Sequence, residues 1–164
     1  MRPKAILFDL DDTLISPHHH RTFFWHEAIQ DIWKQKEAHG VPEPKDIDDL
    51  VNKIDLSAAD FWSEPDRHKS GRLDIRTARF TILDNAIGSD KRFDRNTRWL
   101  IADRCGALMF DKTTLFPDAI STLKNLKLEG IKLALVTNGA SEAQRAKINK
   151  FDLKKYFLHV PIEC

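Results

Sequence analysis

Two acidic residues two positions apart, at the end of a short apolar run, are the first feature here that could do chemistry. They are Asp9 and Asp11 in the stretch Ile6-Leu7-Phe8-Asp9-Leu10-Asp11-Asp12-Thr13-Leu14. In an extended chain, residues i and i+2 share a face, so both carboxylates point the same way. Carboxylates forced together repel, and at least one needs a cation or a proton beside it. A divalent metal with oxygen ligands, magnesium first among them, is the economical answer. The plain alternative is an acidic turn that only caps a strand or a helix. A second candidate lies far downstream, where Thr137-Asn138-Gly139 ends an apolar run. A hydroxyl and an amide at a strand tip, followed by the free N–H groups and positive dipole end of a helix, make a cradle for an anion. Thr137 can donate to a phosphoryl oxygen. Taken alone, the same three residues make an ordinary strand-ending turn.

The elements that must position these groups are legible as patterns. Residues 4–9 read as a buried parallel strand that delivers Asp9 to the C-terminal edge of a sheet, where ligands bind in open α/β folds. Ile131-Lys132-Leu133-Ala134-Leu135-Val136 reads as a second strand, apolar as parallel strands buried on both faces are. Ser141 is a suitable N-cap for a helix running to about Lys150, with Glu142 in its first turn. His159-Val160-Pro161-Ile162 begins a third strand. Phe116-Pro117-Asp118-Ala119 opens a helix carrying Ile120, Leu123 and Leu126, which Gly130 ends.

Between residues 17 and 110 the period changes to that of helices. Trp25, Ala28, Ile29, Ile32 and Trp33 mark one apolar face, stopped by Gly40, Pro42 and Pro44. Ile47, Leu50, Val51, Ile54, Ala58 and Phe61 mark a second helix, and Ser63-Glu64-Pro65-Asp66 reads as a loop. Ile75, Ala78, Ile82, Leu83 and Ala86 give a third helix, ended by Gly88. Ile101, Cys105, Leu108 and Met109 give a fourth, beginning near Asp94. Four amphipathic helices on short connections form a small bundle, with all four tryptophans in its core. His18-His19-His20 reads as a polar linker or helix start, in preference to a metal-binding tract.

Composition narrows the function classes. The chain has 164 residues, 41% hydrophobic and 31% charged, and Lys+Arg 26 against Asp+Glu 25 leaves a net charge of +1. That is enough for one compact domain with a modest insertion. No strong field favours nucleic acid or an anionic membrane, and no apolar run approaches the ~20 residues of a membrane helix. Met1-Arg2-Pro3-Lys4 leads straight into a strand pattern, so no signal peptide is expected. Only Cys105 and Cys164 are present, which fits a reducing, cytoplasmic setting without a disulfide framework.

Asp9-Leu10-Asp11-Asp12-Thr13 resembles the first motif, DxDxT, of the haloacid dehalogenase-like (HAD) hydrolases. Leu135-Val136-Thr137-Asn138-Gly139 resembles their second. Leu115-Phe116-Pro117-Asp118-Ala119 and Tyr156-Phe157 match further landmarks in order. The resemblance is strongest over residues 4–16 and 115–157. It implies a Rossmann-like parallel sheet at 1–16 and 111–164, incomplete here, with an inserted α-helical cap at 17–110. Such a cap closes over the site, excludes water and sets substrate choice; Ser16-Pro17 and Asp111–Phe116 are then its hinges. The resemblance further implies that Asp9 is a nucleophile forming an aspartyl-phosphate, and that Asp11 protonates the leaving oxygen and then activates water. Asp9 through its carboxylate and Asp11 through its carbonyl would hold Mg2+, Thr13 would brace the turn, and Thr137 and Asn138 would bind the substrate phosphate. An acid at position 11 points to phosphate esters rather than carbon–halogen bonds. The wording is similar to phosphatases of small metabolites such as phosphoglycolate, nucleotides and acylneuraminate phosphate, with a phosphomutase as a relative that differs in cap and substrate. Arg72 and Arg76 are read as a solvated helix face before a substrate-facing pair.

Two family motifs have no match: a lysine that neutralises nucleophile and phosphate, and a final acidic pair that completes the metal shell. Lys147, Lys150, Lys154 and Lys155 come too early and read as surface charge. Losing one such electrostatic stabiliser costs on the order of 10²–10³ in rate, so little or no phosphatase activity is expected of these 164 residues alone. The alternative is a non-catalytic HAD-like module that binds a phosphorylated ligand or a protein partner. A parallel sheet edge left open is also expected to promote self-association.

Overall fold

The computed structural model describes residues 2–16, 21–37 and 46–163, with Arg21 and Glu37 described by backbone alone. Pro17, the His18-His19-His20 linker, the helix stop at Gly40, Pro42 and Pro44, and Cys164 lie outside the described residues. In chain order come β1 (Ala5–Phe8), β2 (Ile15–Ser16), α1 (Arg21–Glu37), α2 (Ile47–Ser63), α3 (Pro65–Leu73), α4 (Ile75–Ile87) and α5 (Arg95–Lys112). Then follow β3 (Thr114–Leu115), α6 (Ala119–Leu128), β4 (Lys132–Leu135), β5 (Thr137–Asn138), α7 (Ser141–Lys150), a 3₁₀ turn at Leu153–Tyr156 and β6 (Ile162–Glu163). Contacts divide the chain into two units: Met1–His19 with Lys112–Cys164, and His20–Asp111.

The first unit is an α/β layer. β1 pairs with β4 in parallel, from Ala5 opposite Lys132 to Phe8 opposite Leu135. One step on, the Val136 amide donates to the Phe8 carbonyl at 2.8 Å. Along the other edge of β4 and β5 runs the expected third strand. The amides of Leu135, Thr137 and Gly139 donate to the carbonyls of His159, Pro161 and Glu163 at 3.0, 3.3 and 2.9 Å, and β5 pairs with β6 in parallel. Leu10, Leu123, Leu135 and Leu153 are fully buried here, with Leu133 at 2% exposure and Ile148 at 4%. Each such side chain contributes roughly 1.5–3 kcal/mol by leaving water.

Two features differ from the sequence expectation. β1 is not buried on both faces: Ile6 and Phe8 join the core cluster, whereas Leu7 is 72% exposed. The described residues cover only one face of that strand. The expected hinge segments are also not plain loops. Ile15 and Ser16 pair antiparallel with Leu115 and Thr114, and the Phe116 amide donates to the Leu14 carbonyl at 3.0 Å. The chain therefore leaves and re-enters this unit through one short β-ladder, where the β-branched Ile15 and Thr114 suit a pleated pairing.

The second unit is all helix, with five helices among the described residues rather than four. α3 occupies the place of the expected loop. Its Glu64 carboxylate accepts from the amides of Asp66 and Arg67 at 3.2 and 2.7 Å, and Pro65 at the first helical position has no N–H to satisfy. The helix is polar nearly all round, so periodicity is silent about it. Its one buried residue is Gly71, where a Cβ would sit 2.7 Å from the Phe61 ring. α4 ends at Gly88, whose φ of 59° is left-handed. α5 starts where Asp94 accepts from the Thr97 amide and hydroxyl at 2.7 and 2.8 Å. Trp33, 1% exposed, packs 4.7 Å from Phe93, while Trp99 stacks at 4.0 Å on Phe80 and remains half-buried.

Candidate active site

β1 stops at Phe8, and the next residue, Asp9, is exposed with no hydrogen-bond or ion-pair partner among the described residues. The chain then turns back. The Leu10 carbonyl accepts from the amides of Leu14 and Ile15 at 3.0 and 3.1 Å, and the Asp12 amide donates to the Ile15 carbonyl at 2.8 Å. Asp12 takes the left-handed conformation, φ 57°, that this turn needs; aspartate tolerates it better than most residues do. Buried Leu10 and Leu14 anchor the turn, so Asp11 between them faces outward, its side chain 24% exposed.

β4 stops at the same level. Thr137 lies two residues past Leu135, the partner of Phe8, so parallel register carries Asp9 and Thr137 to the same end of one strand pair. Thr137 is 3% exposed, and its hydroxyl makes no hydrogen bond to a described residue. Asn138 is exposed. Gly139, at φ 120°, turns the chain in a conformation few other residues adopt, and its amide is taken by Glu163. α7 begins at once. Ser141 does not cap it: Ala140 stands at the N-cap without a side-chain hydrogen bond, and the Ser141 hydroxyl accepts from Arg145 Nε at 3.2 Å. The first-turn N–H groups of α7 are therefore left without a side-chain acceptor, as an anion cradle requires.

α7 joins the two loops. Gln144, 5% exposed, donates from Nε2 to the Asn138 carbonyl and to Asp11 Oδ2 at 3.1 Å. Lys147 Nζ sits 2.8 Å from both Asp11 carboxylate oxygens. Lys147 is therefore not the surface charge expected from the sequence: its side chain is 19% exposed and ion-paired. Lys150 also has a partner, donating to the Thr113 carbonyl at 3.1 Å. Lys155 does sit at the surface, paired with Asp152 at 2.6 Å, and Lys154 is exposed. Gln144 and Lys147 were missed because apolar periodicity gives polar residues no direction. Their i, i+3 spacing was the available signal, since it places both on one helix face. A helix that starts at the Thr-Asn-Gly loop must send the first turns of one face toward the same sheet edge. In the helical unit, Arg76 is a bidentate partner of Asp103 at 2.7 and 2.8 Å and lies 4.6 Å from the Trp99 ring. Arg72 Nε is buried without a hydrogen bond among the described residues.

The donor set can be tested against a divalent cation. No group of three His, Cys, Asp or Glu residues that could hold a metal gathers among the described residues. Magnesium needs no such group: it commonly takes one or two carboxylates and completes its shell with water and substrate phosphate. Asp9, exposed and unpaired beside the Asp11 turn, fits that role, whereas the Asp11 carboxylate is already neutralised by an ammonium. No helix among the described residues is long and apolar enough to cross a membrane.

Known proteins resemble this chain over nearly its whole length. The sequence model described as "Hydrolase: haloacid dehalogenase-like hydrolase" matches residues 3–163. A glyceraldehyde 3-phosphate phosphatase of Pyrococcus furiosus is 27% identical over 98% of this chain and 59% of its own length. A protein of the same name from Methanopyrus kandleri is 25% identical over 97% and 61%. Among solved structures, magnesium-bound YfnB of Bacillus subtilis, described as a HAD-hydrolase, superposes with a TM-score of 0.60 at 20% identity, covering 99% of this chain and 64% of that one. At that identity the likeness speaks for the fold alone. The chain thus spans about three-fifths of the length of the curated relatives it matches.

Proposed function

This chain belongs to the haloacid dehalogenase-like hydrolase family, and from that premise we propose that the whole protein is a magnesium-dependent phosphohydrolase of a small phosphorylated metabolite. The observation that carries the reading is the register of β1 on β4, which brings Asp9 and Thr137 to one strand end. Asp9, unpaired and exposed, is the nucleophile. Its oxygen bonds to phosphorus as the ester oxygen leaves, and water then releases inorganic phosphate and restores the carboxylate. Asp11 gives the departing oxygen its proton and takes one from the water. Thr137 and Asn138 hold the phosphoryl oxygens. Asp9, through its carboxylate, and Asp11, through its carbonyl, would hold magnesium, which would supply positive charge to phosphate and nucleophile. Relatives named for glyceraldehyde 3-phosphate support a small, singly phosphorylated substrate. Residues 17–110 act as a substrate-selecting cap. The exposed Leu7, at 72%, and Leu158, at 65%, support self-association through the sheet.

A second reading has its own observation. Lys147 and Gln144 occupy both oxygens of Asp11, which suits a module that binds a phosphorylated ligand or a protein partner without turnover. The test is phosphate release from aryl phosphate and glyceraldehyde 3-phosphate by the 164-residue chain. The enzyme reading expects only trace magnesium-dependent release, on the order of 10⁴–10⁶ below an ordinary enzyme's ~10 s⁻¹ because two such stabilisers are missing, and none from Asp9→Asn. Release that survives chelation or Asp9→Asn contradicts it. Phosphate binding without release selects the second reading.

A further inference from the structure

We propose that Lys147 is a resident counter-ion of this site, a built-in cation with which a divalent metal must compete. The proposal rests on the reading of Asp9 and the Asp11 turn as the metal-binding element. Its ground is geometric. The Lys147 ammonium is equidistant, at 2.8 Å, from Asp11 Oδ1 and Oδ2, and the pair is largely withdrawn from solvent, at 19% and 24% side-chain exposure. Gln144 fixes the geometry: it lies one helical turn before Lys147, is 5% exposed, and holds Asp11 Oδ2 and the Asn138 carbonyl through one amide nitrogen. Its Oε1 is buried without a hydrogen bond, so this amide is committed to keeping the two loops together. A lysine has no acceptor capacity and cannot itself ligate a metal while protonated. Its charge can only oppose a second cation a few ångströms away. A unit charge acting on a dication over a few ångströms of water-like medium changes binding by about ten- to thirtyfold.

A purely structural lysine makes the opposite prediction. If Lys147 served only to hold Asp11 in place, removing it would loosen the turn and weaken metal binding. The sign of the change therefore decides. The experiment titrates the 164-residue chain with Mn2+ by calorimetry and by the electron paramagnetic resonance signal of free Mn2+, using wild type, Lys147→Met, Lys147→Arg and Asp9→Asn. Lys147→Met is expected to bind about tenfold or more tightly, and Lys147→Arg, which keeps the charge, as weakly as wild type. Unchanged or weaker binding by Lys147→Met, in a variant whose circular dichroism and unfolding match wild type, overturns the proposal. So does tighter binding by Lys147→Arg to the same degree. Asp9→Asn tests the underlying reading separately: if it binds Mn2+ as wild type does, the metal site is elsewhere, whatever Lys147 does.

Discussion

Thr137→Val separates what the site costs the fold from what it gives a ligand. Valine keeps the shape of threonine and replaces the hydroxyl with a methyl group. Thr137 is 3% exposed, but its oxygen is not among the fully buried unpaired side-chain atoms of the described residues, so the folded chain dehydrates the hydroxyl only in part. Mutational data put the penalty of full dehydration at about 1–3 kcal/mol. Both residues suit a strand, so propensity barely changes. The low end applies because the hydroxyl sits at a strand tip, and the variant is expected to be more stable by about 1 kcal/mol. Binding should move the other way. A hydrogen bond to a charged group contributes about 1.5–3 kcal/mol, so affinity for inorganic phosphate in the presence of Mg2+ should fall about ten- to 150-fold. Stability is read from amide exchange at Leu135, whose N–H is held by His159 at 3.0 Å, and affinity from a ³¹P NMR titration. A variant destabilised by about 1 kcal/mol or more that still binds phosphate as wild type does would show the hydroxyl to be structural.

The helical unit allows two cleaner tests, because all four tryptophans, at 25, 33, 62 and 99, lie in it and fluorescence reports its unfolding alone. Gly71→Ala should gain about 1 kcal/mol of helix propensity but lose about 1–3 kcal/mol to overpacking, since its Cβ would meet Phe61 Cε1 at 2.7 Å and Trp62 Cζ3 at 3.0 Å. Net destabilisation in urea is expected, and a stabilised variant refutes the close approach. Asp74 and Asp94 cap α4 and α5, and hydrogen bonds from the Thr77 and Thr97 amides hold their carboxyls below the usual range. Their contribution is therefore present above the unfolded-state value of about 4 and is lost as pH falls through the lower folded value. The stability gap between wild type and Asp74→Asn/Asp94→Asn should shrink on acidification below about pH 4; a gap independent of pH contradicts the caps' charge.

The sequence was most informative where one pattern governed one element. Ile6 and Phe8 against Leu133 and Leu135 mark strands whose register follows from their burial, and the Asp9–Asp11 turn and the Thr137 tip then share an edge without further information. The helices α1, α2, α4 and α5 follow their apolar stripes. α3 escaped because a polar helix has no stripe, and its Glu64-Pro65 start resembles a loop as much as a cap. The β2–β3 ladder escaped because two residues are too few to show a period. Gln144 and Lys147 escaped for a different reason: a polar side chain's partner is set by tertiary geometry, and Lys147 and Asp11 are 136 residues apart. The left-handed Asp12 is a backbone property that residue type permits but does not require.

In the proposed function Asp9 is the group that receives phosphoryl, with a divalent cation beside it. Beryllium trifluoride binds a carboxylate as a tetrahedral mimic of a phosphoryl group, so ¹⁹F NMR of the chain with beryllofluoride and Mg2+ tests this directly. A protein-bound fluoride signal that requires Mg2+ and is absent from Asp9→Asn is expected. A wild-type chain with no bound signal at saturating Mg2+, or an Asp9→Asn chain that keeps the signal, would contradict it.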